Sequence, residues 1–367
     1  MFYNTISFVY MLVTFHISYG LQCKDQQGNS IDWYVAYKLP KQTKHENALV
    51  KEGLGYMYMT SDDHNQWIFS ETGINSSNSL IGNTLNPLYN NAKKYLSILY
   101  NDQPPQGHAG SKGHTKGVVI ADKTSGLWLI HSVPNFPYSL NQYEYPDSGT
   151  HYGQSFLCLS LGVSDLNSVG IQLQYNEPQI FAQNVPETMK SIFPELEKAA
   201  RNETVEDSPW YRIANINTQK GANFVSFAKS GNFEKDLYAD LVSASLETNL
   251  YVETWPNEPN RLPSDCDHIY QVDNVLSISL SISSEVNMSF TSTTDHSKWA
   301  ISTSQDSSKW LCIGDINRAE KQTERGGGTT CINNKVLAQQ YAGIVSSVQQ
   351  CDNSSFLMKM TGEEVPL

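Results

Sequence analysis

The 367-residue sequence contains no Cys-x-x-Cys, no His-Glu-x-x-His and no Gly-x-Ser-x-Gly. A thiolate zinc site, a zincin-type helix and a hydrolase nucleophile elbow therefore lack their usual sequence basis. Gly107-x-x-Gly110-Ser111-Lys112 misses the spacing of a phosphate loop, and no set of histidines and carboxylates is spaced to suggest a metal. After the N-terminus, no stretch approaches the ~20 apolar residues of a membrane span. Basic charge is scarce: 25 Lys and Arg face 37 Asp and Glu, for a net charge of −12. That balance argues against tight nucleic-acid binding at neutral pH. Extended disorder is excluded as well, since 39% of residues are hydrophobic and only 17% are charged.

Residues 1–20 carry no charge and hold an apolar run from Ile6 to Ile17, followed by Ser18-Tyr19-Gly20. This reads as a secretory signal peptide, although the basic leading segment is missing. All six cysteines lie beyond it, which fits three disulfides in a secreted chain, though their pairing stays open at this level. Four sequons, at Asn75, Asn202, Asn287 and Asn353, are compatible with glycosylation on the same route.

The most informative pattern is a repeat. His114-Thr115-Lys116 is followed by Trp128 and Asn135; His296-Ser297-Lys298 is followed by Trp310 and Asn317. In both segments tryptophan lies fourteen residues after the histidine and asparagine twenty-one after it. The spacing suggests two halves of one site, residues 21–205 with the first motif and 206–367 with the second, around a polar boundary at Arg201 to Asp207.

Apolar patterning predicts strands at Ile31–Tyr37, which alternates at period two, and at Leu54–Thr60, Lys116–Ala121, Leu127–Ser132, Ser155–Leu161, Gly170–Tyr175, Leu250–Trp255, Lys298–Thr303 and Trp310–Gly314. Helical spacing predicts helices over Pro87–Leu99, Glu234–Glu247 and Asn334–Val348. The result is an α/β or mixed α+β class.

On a strand, residues i and i+2 share a face, so each histidine projects with its lysine. A symmetric pair of such motifs suits attack on a phosphodiester. The lysines hold the phosphate oxygens, one imidazole attacks phosphorus and the other protonates the leaving oxygen. No metal or other cofactor is called for. Protonation of the eight histidines beyond the signal, near about pH 5, would bring the formal charge to about −4, which places the chemistry at acid pH. A lone His-x-Lys is more often a solvated pair, and Trp128 and Trp310 read as core anchors. His131 has Ile313 as its counterpart; it either contacts substrate or satisfies a buried hydrogen bond. Asp295 points away from His296. Glu324-Arg325-Gly326-Gly327-Gly328 is either an anion-binding nest or a flexible loop.

The chain resembles the deoxyribonuclease II family. The landmarks are Leu21-Gln22-Cys23, Asp32-Trp33-Tyr34-Val35-Ala36-Tyr37-Lys38-Leu39-Pro40, Tyr100-Asn101-Asp102-Gln103-Pro104-Pro105 and Gly113-His114-Thr115-Lys116-Gly117. They continue with His131 to Pro137, Phe227-Ala228-Lys229, Asp295-His296-Ser297-Lys298-Trp299, Gly314 to Arg318 and Arg325 to Thr329. The resemblance implies a phospholipase D-like fold of two pseudo-symmetric halves, with sheets flanked by helices and the active site at their interface. It implies metal-independent cleavage of DNA at acid pH, leaving 3′-phosphates, by the pairs His114/Lys116 and His296/Lys298. His131, Asn135, Asn317 and Arg325 are candidate substrate contacts. The implied disulfides are Cys23–Cys158, Cys266–Cys351 and Cys312–Cys331. The chain departs from the broader phospholipase D motif where an acid is expected seven residues after each histidine: Ala121 and Thr303 stand there. Two rival readings are a secreted relative that binds DNA or a host partner without cutting, and a phosphodiesterase acting on lipid headgroups. A lysosomal or secreted destination follows from the signal.

Overall fold

A computed structural model describes residues 20–107, 110, 112–283, 286–303 and 309–351. The signal segment (apart from Gly20), Asn353 and most of the Ser304–Lys309 turn lie outside these residues. Asn75, Asn202 and Asn287 are exposed. No helix among the described residues is long and apolar enough to cross a membrane.

The chain forms two large sheets flanked by helices, a mixed α/β architecture. The first sheet contains β1 (Trp33–Lys38), β2 (Tyr56–Thr60), β3 (Ile68–Phe69), β4 (Leu96–Asn101), β5 (Lys116–Ala121), β6 (Ser125–His131), β7 (Gln154–Gly162) and β8 (Ile180–Asn184). Its order is β8-β4-β5-β6-β7-β1-β2-β3, antiparallel throughout. The second contains β9 (Tyr211–Asn217), β10 (Asn223–Lys229), β11 (Leu250–Glu253), β12 (Val272–Ser283), β13 (Val286–Thr291), β14 (Trp299–Ser302), β15 (Trp310–Gly314), β16 (Gly327–Asn333) and β17 (Val345–Gln349). Here the order is β9-β10-β16-β15-β14-β11-β12-β13, with β17 added against β12 and β11–β12 parallel. Each His-x-Lys motif thus leads into a central hairpin, β5–β6 or β14–β15.

The central strands are apolar on both faces because both are covered. Val119 and Ala121 of β5 enter one core while Val118 and Ile120 enter another. The first core is shared between the sheets. It joins Trp128, Ile130, Leu157 and Leu159 to Trp299, Ile301, Leu311 and Ile313, with Leu166, Val169 and Leu173 of the helix Val163–Asn176 and Leu337 and Tyr341 of the helix Lys335–Ala342. Such continuous burial on both faces erases the period-two signal and leaves runs such as Val118-Val119-Ile120. Disulfides join Cys23 to Cys158, Cys266 to Cys351 and Cys312 to Cys331.

Three elements differ from the sequence expectation. Leu96 to Leu99 belongs to β4; the helix lies earlier, at Leu80–Tyr89. Gly170 to Tyr175 is part of the helix Val163–Asn176, whose Leu166, Val169 and Leu173 recur at helical spacing toward the core. The last helix ends at Ala342, and Val345–Gln349 is a strand.

Candidate active site

The two histidines come together because each motif docks onto the other half of the chain. The His114 amide donates to the Gly326 carbonyl at 2.8 Å, and the Lys116 amide approaches Asp315 Oδ2 at 3.4 Å. In return, the His296 amide donates to the Gly153 carbonyl at 2.9 Å, and the Lys298 amide to Ser155 Oγ at 3.0 Å. The exchange leaves both imidazoles 6% exposed and both lysines fully buried.

Each ring is oriented through Nδ1. His114 Nδ1 lies 2.7 Å from Gln322 Oε1, and Gln322 Nε2 donates to Glu258 Oε1 at 2.6 Å, which fixes the amide with its oxygen toward the ring. His296 Nδ1 lies 2.9 Å from the Ser132 carbonyl and 3.3 Å from Gln154 Oε1. An acceptor at Nδ1 places the proton there and leaves Nε2 with its lone pair, as assigned from the hydrogen-bond network. Asp295 instead binds Tyr37 and Ser297. Ala121 and Thr303 are thus replaced in the orienting role by amide and carbonyl oxygens.

The positive charge is distributed unequally. Lys116 donates to Asp102 Oδ1, Arg325 Nη2 to Asp102 Oδ2 at 3.1 Å, and His114 Nε2 stands 3.8 Å from the same carboxylate. Asp102 is buried, yet the surrounding Lys116, His114 and Arg325 hold its carboxyl well below the ordinary range. Among the described residues Lys298 has no such carboxylate in an ion pair with it; its Nζ contacts its own motif, at the His296 carbonyl (2.6 Å) and His296 Nδ1 (3.1 Å). Burial and the Lys116 charge push Lys298 well below its ordinary value. Burial lowers both histidines in the same way, with Lys298 and Lys116 adding to the effect on His296. Asp315 is pushed up to about 6 by burial.

Lys229, which sequence reading left without a role, braces the loop carrying Gln322 and Arg325. Its Nζ donates to the carbonyls of Gln322 (3.0 Å), Thr323 (2.9 Å) and Arg325 (2.6 Å), and burial lowers its pKa to about 8. Lys229→Met is expected to cost about 2 kcal/mol in a urea unfolding series and to slow turnover by misplacing Gln322. Unchanged stability and turnover would remove that role.

The remaining candidates are placed as follows. His131 is fully buried against Phe136 and Phe156 and accepts from the Val133 amide at 3.2 Å, so it has no exposed atom for a substrate. Asn135 has φ 60° and donates from Nδ2 to the Gln103 and Pro104 carbonyls, on the wall of a cleft of about 730 Å³ onto which His296 and Trp255 open. Asn317 Nδ2 donates to Glu258 Oε2 at 3.0 Å. Arg325 is neither in a nest nor on a loose loop: Nε donates to the Lys112 carbonyl at 2.9 Å, and Gly327 and Gly328 already belong to β16. A Cβ on Gly326 would lie 2.4 Å from the Asn176 carbonyl oxygen, which explains the glycine there.

The matched tryptophans are not equivalent. In the first hairpin Gly117 pairs with Ile130, while in the second Trp299 pairs with Ile313, one residue further on. Leu311, opposite Ile301, therefore takes the place of Trp128, opposite Val119. Trp310 turns to the other face and is only half-buried, and Gly314 replaces Ile313 as the counterpart of His131.

Among the described residues, no group of three or more His, Cys, Asp or Glu side chains is placed to hold a metal. Gln154 Nε2 and Trp255 Nε1 are buried donors without a partner among those residues.

Residues 22–351 match the family described as Deoxyribonuclease II. The chain is 36% identical to plancitoxin-1 of Acanthaster planci, across 91% of this chain and 93% of that protein. It is 35% identical to deoxyribonuclease-2-alpha of Sus scrofa, across 91% and 92%. Among solved structures, yeast tyrosyl-DNA phosphodiesterase aligns over 61% of this chain and 67% of that one, with 8% identity and a TM-score of 0.30.

Proposed function

The chain belongs to the deoxyribonuclease II family and is a deoxyribonuclease, and we propose that it cuts DNA at acid pH, without a metal ion, through a phosphohistidine. The observation that carries this reading is the reciprocal docking, which buries two Nδ1-anchored imidazoles with two lysines in one site. His114 Nε2 attacks phosphorus, forming the P–N bond as the bond to O5′ breaks. His296, as imidazolium, gives its proton to O5′. The same ring then takes a proton from water, which attacks phosphorus, breaks the P–N bond and releases a 3′-phosphate. Lys116 and Lys298 offset the charge that accumulates on the phosphoryl oxygens. Gln154 and Trp255, with their unpartnered N–H groups, suit the same oxygens. Three disulfides and the apolar leader support a secretory destination, lysosomal or extracellular.

The working pH follows from the burial. Both rings are held well below the ordinary imidazole value, so the protonated form needed by the acid accumulates only as pH falls. The alkaline limb of kcat/KM is expected below about pH 6.5. Supercoiled plasmid should be nicked at about pH 5 and hardly at about pH 7.5, with EDTA making no difference. An alkaline limb above neutrality, or nicking abolished by EDTA, would sink the mechanism. Binding of plasmid without nicking at either pH would favour the non-cutting relative.

A further inference from the structure

The cleft onto which His296 opens does not end at the catalytic residues. Beside it lies a groove of about 660 Å³ walled by Lys41, Gln42, Thr43, Lys44, His45 and His151. His151 also lines the cleft that contains Trp255 and His296, so the two spaces share that residue as a wall. From its ring a series of edge contacts leads inward: His151 to Tyr152 at 5.5 Å, Tyr152 to Trp255 at 5.8 Å and Trp255 to His296 at 5.0 Å. We propose that this groove is a DNA-backbone track, continuous with the catalytic cleft, that holds phosphates flanking the scissile one. The proposal rests on the reading of the protein as a DNA-cutting enzyme.

The groove is braced. Lys38 is fully buried and donates to the carbonyls of Thr150 (2.5 Å) and Tyr152 (2.6 Å), on either side of His151. The Lys41 amide donates to the His151 carbonyl at 3.1 Å, and Gln42 Nε2 reaches the Ser289 carbonyl at 3.0 Å, tying the loop to the second sheet. His45 Nδ1 accepts from the Asn47 amide at 3.0 Å, which fixes the ring and leaves Nε2 for another partner.

Its charge is also unspent. Lys41 and Lys44 are exposed, and neither is in an ion pair among the described residues, in a chain of net charge −12. The carboxylates nearest in the chain and on the walls, Glu46 and Asp147, are not bonded to either lysine. A polyanion drawn to an acidic protein needs a local cationic path, and the groove supplies one.

The test compares Lys41→Ala/Lys44→Ala with the wild type on long duplex DNA and on thymidine 3′-(p-nitrophenyl phosphate), which is too short to enter the groove. KM for long DNA should rise about tenfold, and the slope of log affinity against log salt should fall by about 2. Turnover of the small substrate should not change. Unaltered KM and salt slope on DNA would overturn the track, as would an equal loss on both substrates, which would mark the lysines as structural. Failure of the wild type to cut DNA at all would instead count against the underlying nuclease reading.

Discussion

Replacing either His114 or His296 by alanine should lower kcat/KM on DNA by about a thousandfold or more, and replacing both should cost little beyond either alone. The non-additivity is the stronger part. Gln322 holds one ring and the Ser132 carbonyl the other, and in the proposed reaction removing either leaves the other without a task. Circular dichroism should remain that of the wild type, because neither ring belongs to the hydrophobic cores. Two modest, multiplying losses would mean that the motifs work separately.

Asp102→Ala should be the most damaging single change outside the histidines. It leaves Lys116 and Arg325 without their shared carboxylate, and breaking a buried pair in this way costs about 3–5 kcal/mol. The pH dependence has a definite sign. The folded-state pKa of Asp102 lies well below its unfolded value, so its contribution is complete above the unfolded pKa of about 4 and is lost only as pH falls through the depressed value. The stability difference between wild type and variant should therefore be flat from neutrality to about pH 5 and shrink only in stronger acid. Asp315 acts in the other direction. Its raised pKa, about 6, gives a contribution that is full in acid and lost as pH rises through that value. Both groups suit the acid working pH proposed above. A stability difference that vanished already at about pH 5 would show that Asp102 is not the charge that balances Lys116.

Part of this site was legible because the motif is duplicated, which points to a shared site. Period two on a strand predicts that each histidine projects with its lysine, but β5 begins only at Lys116 and β14 at Trp299, so both histidines and Lys298 lie just before the strands and are set by their docking contacts instead. What was not legible has specific causes. Asp102 and Gln322 stand 14 residues from Lys116 and 208 residues from His114, so no local pattern connects them to the motifs. Asp102 sits within one of the family landmarks, but only the folded chain shows it turned onto Lys116. The tryptophan spacing misled because the second hairpin pairs one residue out of step with the first, which moves Trp310 to the opposite face. Around Leu96, apolar residues at Leu88, Ala92, Tyr95 and Leu99 imitate a helix, yet Leu96, Ile98 and Tyr100 fill one face of β4. Around Gly170 the reverse happened: Ile171, Leu173 and Tyr175 alternate like a strand while the helix buries Leu166, Val169 and Leu173. Short segments satisfy both periods, and the packing partner decides.

The central claim is that one imidazole attacks phosphorus and the other handles the proton. It is tested most directly with His296→Ala and thymidine 3′-(p-nitrophenyl phosphate), whose leaving group needs no acid. The variant should release a burst of one p-nitrophenolate per chain and then stall, because no base remains to activate water. After an alkaline quench, peptide mapping should find the thymidine phosphate on His114. No burst, or a label on any other residue, would contradict the account.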